Sequence, residues 1–268
     1  MRKSMCMNDF MEVQYGLQCL YAAYRDKIGE KFKSILERLF EGLRFEVEKL
    51  FDDWTWHLRT DTYFTCVSEH KVQEDVLGRL SMWRAYGGAT GVALVMNNSP
   101  FQAQEPTDIL KIYASPVAYF DPKEFTDKFG EVVSKIEHEA DFVKQRDREE
   151  IKGRIFRMLA FAAVCTKHPG FAEELEWRVI HFPWWESSTH MEKDIELIAG
   201  VPQLVYKIPL IDIPGLTGIT IPDLVDRIIV GPTRDPLAIR EAFVELLAEA
   251  GVRDPNNKVY ISNIPLRF

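Results

Sequence analysis

No stretch of this chain is apolar for long enough to cross a membrane as a helix. The best run, Met158 to Cys165, falls far short of the roughly 20 residues a span requires. The first residues reach Asp9 before any apolar signal core can form, so no export signal is expected and the default compartment is the cytoplasm. Cysteine is sparse: Cys6, Cys19, Cys66 and Cys165 are scattered without C-x-x-C spacing, which excludes a disulfide framework and leads us to expect buried reduced thiols. Histidine is equally uninformative, because the six residues His57, His70, His138, His168, His181 and His190 form neither H-x-x-x-H nor H-E-x-x-H, and no structural zinc is expected. The G-x-S-x-G elbow is absent, so Ser68 beside Glu69-His70 reads as a hydrogen-bonding serine at a turn or pocket. Basic charge is in deficit. A formal charge of −8 argues against coating nucleic acid through a broad basic field, although a local basic groove remains open.

What is present is a well-stocked core: 268 residues, 46% of them hydrophobic and 12% aromatic, enough for one large domain or two small ones. Ile35, Leu39, Leu43, Val47 and Leu50 recur at helical spacing and predict a helix over 31–51. Tyr63 to Ser68 reads as a strand, 75–86 as a helix stopped by Gly87-Gly88, and 90–96 as a buried strand with 111–119 as its neighbour. Helices are expected over 123–149 and 150–165, then a Lys167-His168-Pro169-Gly170 turn in which His168 caps or ends a helix. Strands follow at 204–210, 226–230 and 258–262, with a helix over 236–250. This pattern predicts a single α+β domain over 1–268, a mixed central sheet flanked by helices and a helical insertion at about 122–165.

The segment from Glu173 to Ile180 is the chemical focus. Read as a strand, it places Glu174, Glu176 and Arg178 on one face and Leu175, Trp177 and Val179 on the other. Such a row is either a ladder of salt bridges or a pocket with two carboxylates, whose mutual repulsion raises one pKa and which can stabilise positive charge on a sugar ring. On a helix Trp83 and Tyr86 share a face, as core or as a wall for a flat ligand. Gly87-Gly88 to Gly91 lies between a helix and a following strand, the reverse of a phosphate loop, and reads as a left-handed helix stop. Asp9, Glu12, Glu174 and Glu176 offer a magnesium-nuclease alternative without a tight ligand signature.

An ordered series of short blocks runs through nearly the whole chain: Asn8-Asp9-Phe10-Met11-Glu12, Phe64-x-Cys66-x-Ser68-Glu69, Ser81-Met82-Trp83-Arg84-x-Tyr86-Gly87, Gly91-Val92-Ala93, Glu173-Glu174-x-Glu176-Trp177-Arg178, and Ser262-x-Ile264-Pro265 with Arg267. Together they resemble the bacterial family of domain of unknown function 2971, whose block order is similar to the ADP-ribosyltransferase-like superfamily. That resemblance implies Glu176 as catalytic glutamate with Glu174 as its Glu-x-Glu partner. It implies an NAD pocket supported by Ser68, with Trp83 or Tyr86 stacking on a ring and Arg84 and Arg178 among the cofactor-binding groups. The implied function is an NAD-using transferase or glycohydrolase, a toxin or phage-defence effector with a protein or nucleic-acid target. The alternative is a non-catalytic nucleotide- or protein-binding module of a defence or regulatory system, working with a partner protein. The family pattern also implies a strand upstream of the Asn8-Asp9 block, carrying a tyrosine followed by histidine or another polar residue. With only Met1–Met7 there, that strand is expected to be missing, which favours the module.

Overall fold

A computed structural model of the chain describes residues 1–7, 9, 11–102 and 105–266, so Asn8, Phe10 and Arg267 of the resemblance blocks lie outside the described residues. The helices are α1 (Gln14–Arg25), α2 (Lys27–Leu39), α3 (Leu43–Thr60), α4 (Leu80–Met82), α5 (Ser99–Gln102), α6 (Glu105–Leu110), α7 (Pro122–His138), α8 (Ala140–Val143), α9 (Arg148–Val164), α10 (Ile221–Leu224) and α11 (Pro236–Glu249). The strands are β1 (Arg2–Lys3), β2 (Tyr63–Ser68), β3 (Val92–Met96), β4 (Ile112–Pro116), β5 (Ala118–Tyr119), β6 (Thr166–Lys167), β7 (Glu176–His181), β8 (Glu192–Ile198), β9 (Val201–Lys207), β10 (Val225–Val230) and β11 (Val259–Ile261). The architecture is mixed α and β with open sheets, in the α+β class. The chain divides into two compact units, one of 1–66, 115–187 and 193–206, the other of 67–114, 188–192 and 207–268.

The first unit holds most of a sheet of order β4-β7-β2-β1-β9-β8. Two-residue β1 is antiparallel to both its neighbours, with Arg2 opposite Phe64 and Val205. A two-residue strand does precede the Asn8-Asp9 block and lies inside the sheet, but it carries Arg2-Lys3 and not the tyrosine of the family pattern. Helices α1, α2, α3, α7 and α9 pack on one another around Leu17, Phe32, Leu36, Val47, Phe129 and Leu159, all buried. At Gly16 the backbone of α1 approaches the Ala163 carbonyl of α9 so closely that a Cβ would collide with it.

The helix predicted over 31–51 is two helices. Phe40 turns extended, and Gly42, at φ 77°, adopts a left-handed conformation that a side chain would resist before α3 begins. The apolar spacing survives the break because Leu39 and Leu43 are both buried. Pro122 and Asp121 fix the start of α7, the Asp121 carboxylate accepting from the Lys123 and Glu124 amides.

In the second unit β10 is parallel to β11 and antiparallel to β3, with α11 forming the crossover between β10 and β11. Val225, Ile228, Val230, Leu247, Val252 and Val259 make its core. The helix expected over 75–86 is confined to α4 and the π-type turn Trp83–Gly87 after it. Gly78 interrupts it at φ 68°, where a Cβ would meet the Trp83 indole ring, and the Trp83 Nε1–H donates to Leu77 O at 2.8 Å. Gly88 ends the turn at φ 55° and ψ −155°, a glycine conformation outside the left-handed helical region expected for a helix stop.

Candidate functional site

The acidic segment is not one strand. Pro169–Glu174 is a 3₁₀ turn that begins at His168, whose Nδ1 accepts from the Gly170 amide at 3.0 Å, and β7 starts only at Glu176. Between them Leu175 takes the left-handed region at φ 46°, a strained choice for a branched side chain. That reversal lets carboxylates on both sides of Leu175 reach one cation: Lys167 Nζ donates to Glu174 Oε2 at 2.6 Å and to Glu176 Oε2 at 2.9 Å. The glutamates thus converge through the turn, not through strand alternation.

Alternation does operate between Glu176 and Arg178. Both project from one face of β7, and Arg178 Nε donates to Glu176 Oε1 at 2.9 Å. Arg178 is fully buried, its guanidinium 5.0 Å from the centre of the Phe64 ring on neighbouring β2. Its remaining nitrogens donate to the Val164 carbonyl at the end of α9 and to Glu12 Oε1 just ahead of α1. A cation at a helix C-terminus meets the negative end of the helix dipole and satisfies a carbonyl that has no partner within the helix. The cluster is therefore a joint: one guanidinium links β7, the end of α9 and the start of α1.

The charge count explains the titration. Three carboxylates, Glu12, Glu174 and Glu176, share two cations, Lys167 and Arg178. Burial pushes Glu176 upward, but the Arg178 charge and hydrogen bonds from Arg178, Cys66 and Lys167 overcome it and hold the carboxyl at about 2. Glu12 is the group left over: burial raises it to about 7 against the pull of Arg178 and Lys167. Burial works to lower Lys167 and Arg178, and their carboxylate partners nevertheless raise both. The Glu176 amide donates to the Tyr119 hydroxyl at 2.8 Å, which fixes the backbone from β5.

Cys66, expected to be buried, is exposed by surface area. Protein atoms crowd its sulfur all the same, and that desolvation, followed by the Glu176 charge, raises the thiol's pKa. Cys19 and Cys165 are buried, Cys6 is half-buried, and all four are free thiols.

Ser68, Trp83, Arg84 and Tyr86 belong to the second unit, and Glu174, Glu176 and Arg178 to the first. Ser68 Oγ accepts from Arg79 Nη1 at 2.8 Å, and the same guanidinium holds Glu74 through Nε at 2.8 Å. Trp83 is a core ring, 4% exposed and packed against Gly78 and Gly231, whereas Tyr86 is 49% exposed and Arg84 is exposed. The two rings do not make one wall, because the turn that carries them is not α-helical.

Sequence reasoning grouped Glu12 with Glu174 and Glu176 only as a magnesium-ligand alternative, and it missed Lys167 and Cys66 as members of the cluster. Lys167 had a legible signal, a cation between an apolar helix and a proline-glycine turn. Among the described residues no group of three or more His, Cys, Asp or Glu side chains could hold a metal ion. A shallow groove of about 460 Å³ runs elsewhere in the first unit, along α9, lined by Arg154, Arg157, Met158 and Phe161. The Arg157 guanidinium lies 5.6 Å from the Trp185 ring centre.

Residues 82–179, from α4 into β7, match the model of a family described as a protein of unknown function, DUF2971. The match includes the Trp83, Tyr86, Glu174, Glu176 and Arg178 blocks. No curated protein and no solved structure matches the chain. Among the described residues no helix is long and apolar enough to cross a membrane.

Proposed function

We propose that this chain is a non-catalytic binding module of a bacterial defence or regulatory system, holding a nucleotide-type ligand or a protein segment. One observation carries the reading: both carboxylate oxygens of Glu176 accept from cations of its own fold, Oε1 from Arg178 and Oε2 from Lys167. A glycosyl-transfer carboxylate acts by meeting charge on the substrate in the transition state, and a buried glutamate spent on two internal ion pairs is poorly placed to do so. For a ligand, the α9 groove offers the Arg157 guanidinium beside apolar surface, with Arg154 held by Glu150 at 2.7 Å and exposed enough to exchange that partner, a combination suited to a phosphate joined to a flat ring.

Calorimetric titration of the protein with NAD, ADP-ribose and ATP, run beside a nicotinamide-release assay, tests the reading. Binding without release, weakened in Arg154→Glu and Arg157→Glu, is the expected outcome. Release of nicotinamide, or the absence of binding to any of the three, removes the nucleotide-binding module.

A second reading, an NAD-using transferase or glycohydrolase of ADP-ribosyltransferase-like type, draws on a different observation. Glu176 is held ionised, and it accepts from the thiol of Cys66, a residue that itself reaches the surface. Release of nicotinamide that is lost in Glu176→Gln is the result that belongs to this reading.

A further inference from the structure

Gly153 stands inside α9 where packing does not call for a glycine. Glycine costs a helix interior about 1 kcal/mol against alanine, yet a Cβ built here meets nothing within 4 Å. The residue belongs to the groove side of the helix: Gly153, Arg157 and Phe161 form one row at i, i+4 spacing, and Glu150, Arg154 and Met158 form the next. Bare backbone therefore lies beside the two guanidinium groups, where a ligand can approach closely.

Behind Arg157 the groove is backed by rings. The guanidinium lies over Trp185, and buried Phe156 meets that indole edge-on with ring centres 5.6 Å apart. Trp184 lies near-parallel to Trp185 at 19° and stacks in turn on Trp54 at 4.8 Å. Arg157 thus ends a braced column of indoles. Among the described residues it has no carboxylate partner, whereas Arg154 pairs with Glu150. A flat ring laid on the guanidinium would continue the column, and a nucleobase is such a ring. The groove is shallow and lined by side chains of one helix, so most of a free nucleotide would stay in water, unlike a ligand in an enclosing pocket. An open groove suits a strand that passes through it, giving one base to the column and an adjoining phosphate to the arginines. A net charge of −8 opposes a broad phosphate contact but not one confined to one or two phosphates.

We propose that the α9 groove takes single-stranded nucleic acid, one base stacking on Arg157 and an adjoining phosphate held by Arg154 and Arg157. This rests on the reading of the groove as a nucleotide site and narrows its ligand from a free nucleotide to a strand. Fluorescence anisotropy of a labelled ten-nucleotide deoxyadenylate strand, in competition with ATP and with the same strand annealed to its complement, tests it. Saturable binding is expected, with ATP displacing the strand only at about tenfold or greater excess and the duplex, whose bases are already paired and stacked, failing to compete. Arg157→Glu should weaken binding at least about fivefold, through loss of a stacked base and a phosphate contact. Gly153→Leu should weaken it by filling the open space, while the thermal midpoint falls no lower than that of wild type. With two phosphates engaged, log K should fall against log salt with a slope of about −1.4. Displacement by ATP at equal concentration would leave the nucleotide reading standing and overturn the strand. Equal competition by the duplex, binding indifferent to Arg157→Glu or Gly153→Leu, or a salt slope steeper than about −3 would overturn it as well. Failure of both the strand and ATP to bind would remove the nucleotide reading with it.

Discussion

Arg178 Nε and Glu176 Oε1 stand 2.9 Å apart on one face of β7, at the centre of a cluster that ties a sheet to two helices. Exposed ion pairs contribute little, but removing one member of a buried pair leaves the other charge uncompensated. Arg178→Met would leave Glu12 without its cation and Glu176 with Lys167 alone, and a loss of roughly 3–5 kcal/mol is expected in urea denaturation. Tyr86→Ala, at an exposed ring, is the contrast and should change stability by no more than about 0.5 kcal/mol. A small effect of Arg178→Met would mean that the guanidinium does not hold these elements together.

The titration of Glu12 gives a pH signature. Its carboxyl rises from the ordinary 4.5 to about 7 on folding, so the stabilisation tied to its neutral form is complete below pH 4.5. As pH rises, the unfolded chain gives up the proton first, and this contribution is lost through pH 7, a change of about 3 kcal/mol. Glu176 behaves oppositely: its carboxyl falls to about 2, so its contribution is present above pH 4.5 and lost as pH falls toward 2. Stability curves of wild type and Glu12→Gln between pH 2 and 7.5 check the sign. The substitution should remove the decline above pH 4.5 and leave the acid limb in place.

The crossing of α1 and α9 depends on a missing side chain. Gly16→Val places branched carbon against the Ala163 carbonyl, and helices held by that contact must separate. Overpacking of this kind costs typically about 1–3 kcal/mol, to be read as a lower denaturation midpoint. Gly153→Ala, where a Cβ meets nothing within 4 Å, is the matched control and should be neutral or stabilising.

Trp83 supports its unit through both its ring and its N–H. Trp83→Phe keeps much of the packing and removes the indole donor, but the Leu77 carbonyl still accepts from Ser262 Oγ at 2.7 Å, so the cost should be no more than about 1 kcal/mol. Trp83→Ala also empties the space between Gly78 and Gly231, and should cost about 3–5 kcal/mol. Differential scanning calorimetry of the two variants checks the order.

Much of the fold was legible from apolar spacing: β2, β3, β10, α9 and α11 lie within a few residues of their expected places, although β3, expected to be buried beside 111–119, pairs with β10 and leaves Leu94 53% exposed. Spacing does not report a break between two helices that bury the same face, and so Gly42 was passed over inside one long periodic run. Edge strand β8 was missed for a related reason, since acids and aliphatics alternate there with both faces open to solvent and no core to announce it. At the site, the pattern suggested two carboxylates on one strand, and the left-handed Leu175 showed why that geometry fails. Partners distant in sequence, Glu12 and Arg178 above all, are joined by packing that no local pattern encodes.

The most direct test of the central claim, that the acidic pair serves the architecture and not glycosidic cleavage, is nicotinamide release by purified wild-type protein incubated with NAD, measured beside the thermal midpoint of Glu176→Gln. No release above the protein-free rate, with a clearly lowered midpoint in the variant, is the predicted result. Release by wild type that disappears in Glu176→Gln while the midpoint stays unchanged would contradict it.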